Sequence, residues 1–174
     1  KNIDKISFGK AISSITTSVN SVNIYGEQEI VSKYEESYIP VEVDVSGLSD
    51  SKSYTVVVPK PDGIREVSEK TITVKISLGK EESMEVNDIK IDAINLGPNL
   101  KAGAIGENSS KTTVIVKGTK EVLDTIDATT IKATVDLAGL GEGEHTVEVK
   151  VTGEEVKANY FAKTTKIKVR ISKS

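Results

Sequence analysis

The chain has 174 residues, with 23 basic and 26 acidic side chains, a net charge of -3, and no cysteine or tryptophan. Single domains run to about 100–150 residues, so one or two small domains fit this length. The missing thiols exclude disulfides and thiolate metal sites. The interspersed charges argue against a nucleic-acid surface or a polybasic membrane anchor, and no apolar run approaches the ~20 residues of a membrane-spanning helix.

Aromatic residues make up only 4% of the chain, so the core has to come from Ile, Val, Leu and Ala. Carbohydrate and base-stacking platforms, which rely on exposed rings, are poorly supplied. No signal peptide and no initiator Met open the sequence. The chain is therefore read as a fragment, one that leaves room for a membrane anchor upstream.

From the N-terminus onward, each element is met twice. Gly26 and Gly118 lie 92 positions apart, and the same offset holds without a gap from Val22/Val114 to Leu48/Leu140. Eight of these 27 pairs are identical, among them Gly26/Gly118, Asp44/Asp136 and Gly47/Gly139. Average residue usage would give about one or two. The opening strand is clear only in the second copy, where Ile89 to Leu96 alternates apolar and polar residues. In the first copy, Asn2-Ile3 matches Asn95-Leu96, so that copy starts just inside the strand or has lost it.

A short strand and a helical segment come next. In the second copy, Val122, Leu123 and Ile126 share one helical face, Thr119 is placed to cap the helix, and Glu121 suits its positive end. Ile30, Val31 and Tyr34 repeat the pattern in the first copy. A long strand follows, with Ile39, Val41, Val43 and Val45 on one face and Ile131, Ala133, Val135 and Leu137 on its counterpart. Tyr54, Val56 and Val58 continue the first copy, then the turn Pro59-Lys60-Pro61-Asp62-Gly63. Val147, Val149 and Val151 form the matching strand of the second copy. The last strands, Ile72 to Ser77 and Ile167 to Ser172, match at an offset of 95. That change places an insertion where Gly153 to Ala162 lies. The expected class is mainly β, with several strands and one short helix per module. The modules are residues 1–80 and 81–174, with the polar stretch Gly79-Lys80-Glu81-Glu82 between strands at the seam.

Groups able to do chemistry are scarce. His145 is the one histidine, a general base or metal ligand in principle. Its counterpart in the first copy is Ser53 or Tyr54, so it is read as an exposed strand-end residue. Gly139-Leu140-Gly141-Glu142-Gly143 is glycine-rich, but a strand follows it rather than the helix a phosphate loop needs. The recurring Asp44 and Asp136 offer one carboxylate each, too few for a hard cation, and are read as fixing a turn. Asp124 with Asp127, and Glu81 with Glu82, are read as solvated charges. Asn108-Ser109-Ser110 fits a glycosylation sequon by pattern only. No catalytic, cofactor or metal residues are assigned.

The repeated residues resemble the YbbR domain family. The matching pieces are Val114-Ile115-Val116-Lys117-Gly118, Val122-Leu123-Asp124-Thr125-Ile126, Ala133 to Leu140 and Gly143 to Val149, with the first copy more divergent at Tyr38 and Pro40. The resemblance implies tandem modules like the C-terminal domain of ribosomal L25-type proteins, and a longer parent with an N-terminal transmembrane helix and several repeats outside the membrane. Such parents in Gram-positive bacteria regulate a membrane diadenylate cyclase, which makes cyclic di-AMP. The family supplies no catalytic residues. The expected function is a non-catalytic, extracytoplasmic protein-interaction fragment of such a regulator, with the cyclase as partner, no cofactor, no nucleic acid, and the membrane reached only through an anchor outside this fragment. A passive envelope spacer or adhesin-type stalk is the alternative. A nucleic-acid module and an enzyme built on His145 rank below it.

Overall fold

The computed structural model describes residues 1–106 and 110–174. Two compact units divide the chain, Lys1–Gly79 and Lys80–Ser174. Both are mainly β and each carries one short helix, because period-2 alternation of β-branched residues dominates the sequence.

The first unit contains β1 (Lys10–Thr17), β2 (Ile24–Tyr25), α1 (Gln28–Val31), β3 (Lys52–Val57), β4 (Glu66–Val67) and β5 (Thr71–Lys80). Three strands form a sheet in the order β1-β5-β3, and β2 pairs with β4 as a separate ribbon. On β5 the side chains of Ile72, Val74 and Ile76 turn inward while Thr71, Thr73 and Lys75 face solvent. Those three pack with Ile12, Val45, Leu48 and Val58 into the core of this unit.

The second unit contains β6 (Glu82–Ile94), β7 (Leu100–Ile105), β8 (Lys111–Gly118), α2 (Lys120–Leu123), β9 (Lys132–Asp136), β10 (Gly143–Thr152), β11 (Asn159–Ala162) and β12 (Lys166–Lys173). They form one seven-stranded sheet in the order β11-β8-β6-β9-β10-β12-β7. β6 pairs antiparallel with β8 and parallel with β9. It bends at a register shift between Val86 and Ile89, where Asp88 takes a left-handed φ of 61°. One core joins β9, β10 and β12 through Leu137, Val149, Val169 and Ile171. A second joins β8 and α2 through Val114, Val116, Val122 and Leu123. Ile89 of β6 packs against both. Val114, Val116 and Leu137 are 0% exposed, and a fully buried aliphatic side chain contributes about 1.5–3 kcal/mol.

The duplication is structural as well as sequential. β1-β5-β3 of the first unit matches β7-β12-β10 of the second, and β2-β4 matches β8-β11.

Several sequence expectations change. The segment from Gly153 to Ala162 is not wholly an insertion. Tyr160 pairs with Val116 as Val67 pairs with Ile24, so β11 is the counterpart of β4, and the additional residues fall on either side of it. The stretch Ile39 to Val45 keeps its alternating burial but joins no ladder, and Pro40 lacks the N–H a ladder needs. The opening strand starts at Glu82 rather than Ile89, and β5 reaches Lys80, so the polar seam is mostly strand. The helices are shorter than two turns: α2 is four residues, and α1 continues as a 3-10 turn from Ser32 to Tyr34. Thr119 makes no side-chain cap, and its buried hydroxyl has no hydrogen-bond partner among the described residues.

Candidate interaction surface

The aspartates and glycines that recur as Asp44/Asp136 and Gly47/Gly139 are turn-builders. Asn2 and Asn95 both adopt left-handed backbone with φ of 59°, a conformation asparagine tolerates well. From there Asn2 Nδ2 donates to Asp44 Oδ1 at 3.1 Å, and Asn95 Nδ2 donates to Asp136 Oδ1 at 2.9 Å. The same carboxylate oxygens accept the backbone N–H of Ser46 at 2.9 Å and of Ala138 at 3.0 Å. Gly47 and Gly139 complete the two turns with φ of 70° and 72°, where a Cβ would be strained. Each carboxylate therefore closes an Asx turn and ties it to an asparagine, which in the second unit directly follows β6. The sequence matched Asn2 with Asn95 by position; the clamp they form with the aspartates was not read from it.

These bonds need the charged form. The backbone N–H of Ser46 and the Asn2 amide hold the Asp44 carboxyl at about 2, below its usual 3.8. The Asn95 amide and the Ala138 N–H lower Asp136 in the same direction. A depressed folded pKa contributes stability above the unfolded value, and that contribution is lost as the pH falls through the folded one. The melting temperature of the Asp44→Asn variant is therefore expected to lie below that of the parent chain at pH 6. The gap should close between pH ~4 and ~2. A gap constant with pH in a thermal melt series would show that the clamp does not depend on charge.

His145 lies inside β10 near its start and is half-buried rather than fully exposed. Its Nε2 lies 2.8 Å from the Gly141 carbonyl oxygen, which the ring meets as a donor. The loop from Gly139 to Gly143 is a strand-to-strand connection, with no helix after it. Asp124 pairs with Lys120, and Asp127 accepts from the N–H and hydroxyl of Thr129. Glu81 pairs with Lys117 at 3.3 Å. Asn108 and Ser109 of the sequon lie outside the described residues. Among the described residues, no cluster of three or more His, Asp or Glu side chains could hold a metal ion.

What the first unit does offer is an apolar groove of about 390 Å³. Val22 and Ile24 form one wall, Ile39 and Val41 the other, and Ile72 lies along it. Tyr38 stands at the rim with 96% of its surface exposed. At the repeat offset the walls correspond to Val114, Val116, Ile131 and Ala133, all buried in the second unit. Here the four are only half-buried. α1 likewise has no buried residue, whereas α2 buries Val122 and Leu123. In the sequence these positions read as core; the period-2 signal carries no information about whether a strand covers them.

The second unit offers sheet edges. β7 and β11 end its sheet, and β7 carries small side chains at Ala102, Gly103 and Ala104. An edge of this kind can accept an added strand.

Comparison with known proteins agrees with the repeat. The sequence model of the YbbR-like protein family matches residues 1–76 and 86–171. The chain is 26% identical over 168 residues to the CdaA regulatory protein CdaR of Bacillus subtilis, which covers 95% of this chain and 34% of the relative. The chain thus spans about a third of that relative's length. Among solved structures, a YbbR-like domain from Listeria monocytogenes gives a TM-score of 0.47 at 15% identity, covering 53% of this chain and 95% of that one. A YbbR-like protein from Streptococcus pneumoniae gives 0.46 at 19% identity, covering 55% and 48%.

Proposed function

The chain belongs to the YbbR-like protein family, and from that premise we propose that it is the non-catalytic, extracytoplasmic interaction portion of a membrane-anchored regulator of a diadenylate cyclase. The observation that carries the reading is the match, along 95% of the chain, to a relative named as a CdaA regulatory protein. The partner is the membrane cyclase that makes cyclic di-AMP. The anchor of this regulator belongs to the longer polypeptide, outside residues 1–174; among the described residues no helix is long and apolar enough to cross a membrane.

The chemistry of the surface supports binding rather than turnover. The polar groups singled out are engaged in turns and ion pairs, and what is offered to a partner is an apolar groove and sheet edges. Backbone pairing at such edges is a recurring mode of protein recognition.

Co-purification of the full-length parent with the cyclase tests the reading, with association expected from both detergent and native membranes. Absence of association in both would overturn it. Deleting residues 1–79 from the parent separates a regulator from a spacer. A changed cyclic di-AMP level in cells is expected; an unchanged level with normal surface abundance favours the spacer.

A further inference from the structure

We propose that the groove of the first unit is a strand acceptor, and that its occupant is the stretch of polypeptide immediately preceding Lys1 in the longer protein. Three observations lead there. The first is the lining. The counterparts of the groove walls in the second unit flank β6, which sets Met84 opposite Val116 and Val86 opposite Val114 on one side, and Ile91 opposite Ala133 on the other. The groove thus has the walls of a strand site, antiparallel to β2 and parallel to the segment from Val41 to Val45.

The second is the position of Lys1. The N–H of Val45 donates to the Lys1 carbonyl at 3.2 Å, just as the N–H of Leu137 donates to the carbonyl of Ile94, the last residue of β6, at 2.9 Å. The terminal nitrogen of Lys1 donates to the Val43 carbonyl at 2.6 Å. Lys1 therefore already sits in parallel register with this wall. A polypeptide continuing upstream from that nitrogen in the same direction runs past Val43 and Val41 into the groove. Neither N–H has a backbone partner among the described residues. The third is length: the curated relative extends well beyond the part this chain covers.

The occupant is defined by its chemistry. It is extended, with an apolar side chain at every second position to face Ile24 and Val41, and polar residues between. Backbone bonds to the two walls hold it, and the alternation sets its register.

Amide hydrogen exchange tests the proposal on two proteins, the 174-residue chain and the same chain extended by its own natural upstream residues over the 13-residue length of β6. In the extended protein the amides of Ile24, Val41 and Val43 are expected to exchange about tenfold more slowly or better. In the extended protein carrying Ile24→Lys, which puts a charge on the groove wall, that slowing should vanish while Val74 on β5 keeps its own protection. Equal rates in the two proteins, or slowing that survives Ile24→Lys, would overturn the proposal. A synthetic peptide with the Glu82–Ile94 sequence, added to the unextended chain, forms the third arm. If it slows these amides and the natural extension does not, the assigned occupant is wrong and the groove takes its strand from a partner.

Discussion

Replacing Leu137 with alanine is expected to destabilise the second unit by about 2–5 kcal/mol in a denaturant titration. Leu137 is 0% exposed and is among the largest side chains fully enclosed in the chain. It follows β9 directly, and its N–H donates to the Ile94 carbonyl, so its side chain is held where the β6–β9 pair meets the Asp136 turn. Its neighbours Val135, Val149 and Val169 come from three strands of one sheet and cannot all move to fill the space. The cost is then the lost transfer energy plus that of a persisting cavity. Its counterpart Val45 is smaller and lies in a unit with a solvent-open groove, so Val45→Ala is expected to cost less. A loss below about 1 kcal/mol for Leu137→Ala would mean that the sheet collapses around the gap.

The second large effect is expected from adding a single methyl group. A Cβ at Gly153 would overlap the ring of Tyr160. Gly153 follows β10, and Tyr160 sits on β11, where it pairs with Val116 and packs against the core around Val114. Partial burial pushes the Tyr160 phenol above its ordinary value. The ring is therefore enclosed on one side by the core and on the other by the Gly153 backbone. Gly153→Ala should cost about 1–3 kcal/mol, the usual range for overpacking. Combining it with Tyr160→Ala separates sterics from any intrinsic demand for glycine. The double variant should be more stable than the two single losses predict, because the clash is gone. Strict additivity would assign the cost of Gly153→Ala to the backbone.

The parts of the fold legible in the sequence were those where one face of a strand is buried. Ile131 to Leu137, Val147 to Val151 and Ile167 to Ile171 alternate cleanly and form β9, β10 and β12, or flank them. β1 and β7 went unread, because edge strands such as Lys10–Thr17 and Leu100–Ile105 carry serine, threonine and small residues that leave no period. The segment from Ile39 to Val45 shows the reverse case. Its side chains alternate as predicted, yet pairing depends on what lies alongside, which local pattern does not encode. The repeat located the two turns through Asp44 and Asp136. The clamp needed geometry, since left-handed backbone at Asn2 and Asn95 cannot be deduced from asparagine alone.

The position of β6 has a consequence in time. It is the first strand of the second unit in the chain, yet it lies in the interior of the sheet, between β8 and β9. Ile91 precedes its partner Ala133 by 42 residues. At roughly 5–20 residues per second of synthesis, about 2–8 s pass before that partner has been made. Until β8 has been made, Met84, Val86, Ile89 and Ile91 are carried by a nascent strand with both edges open, and one edge stays open until β9 follows. β7 waits longer still, since Ile105 precedes its partner Lys168 by 63 residues, but β7 ends the sheet, whereas β6 lies inside it and joins the two cores of the finished unit.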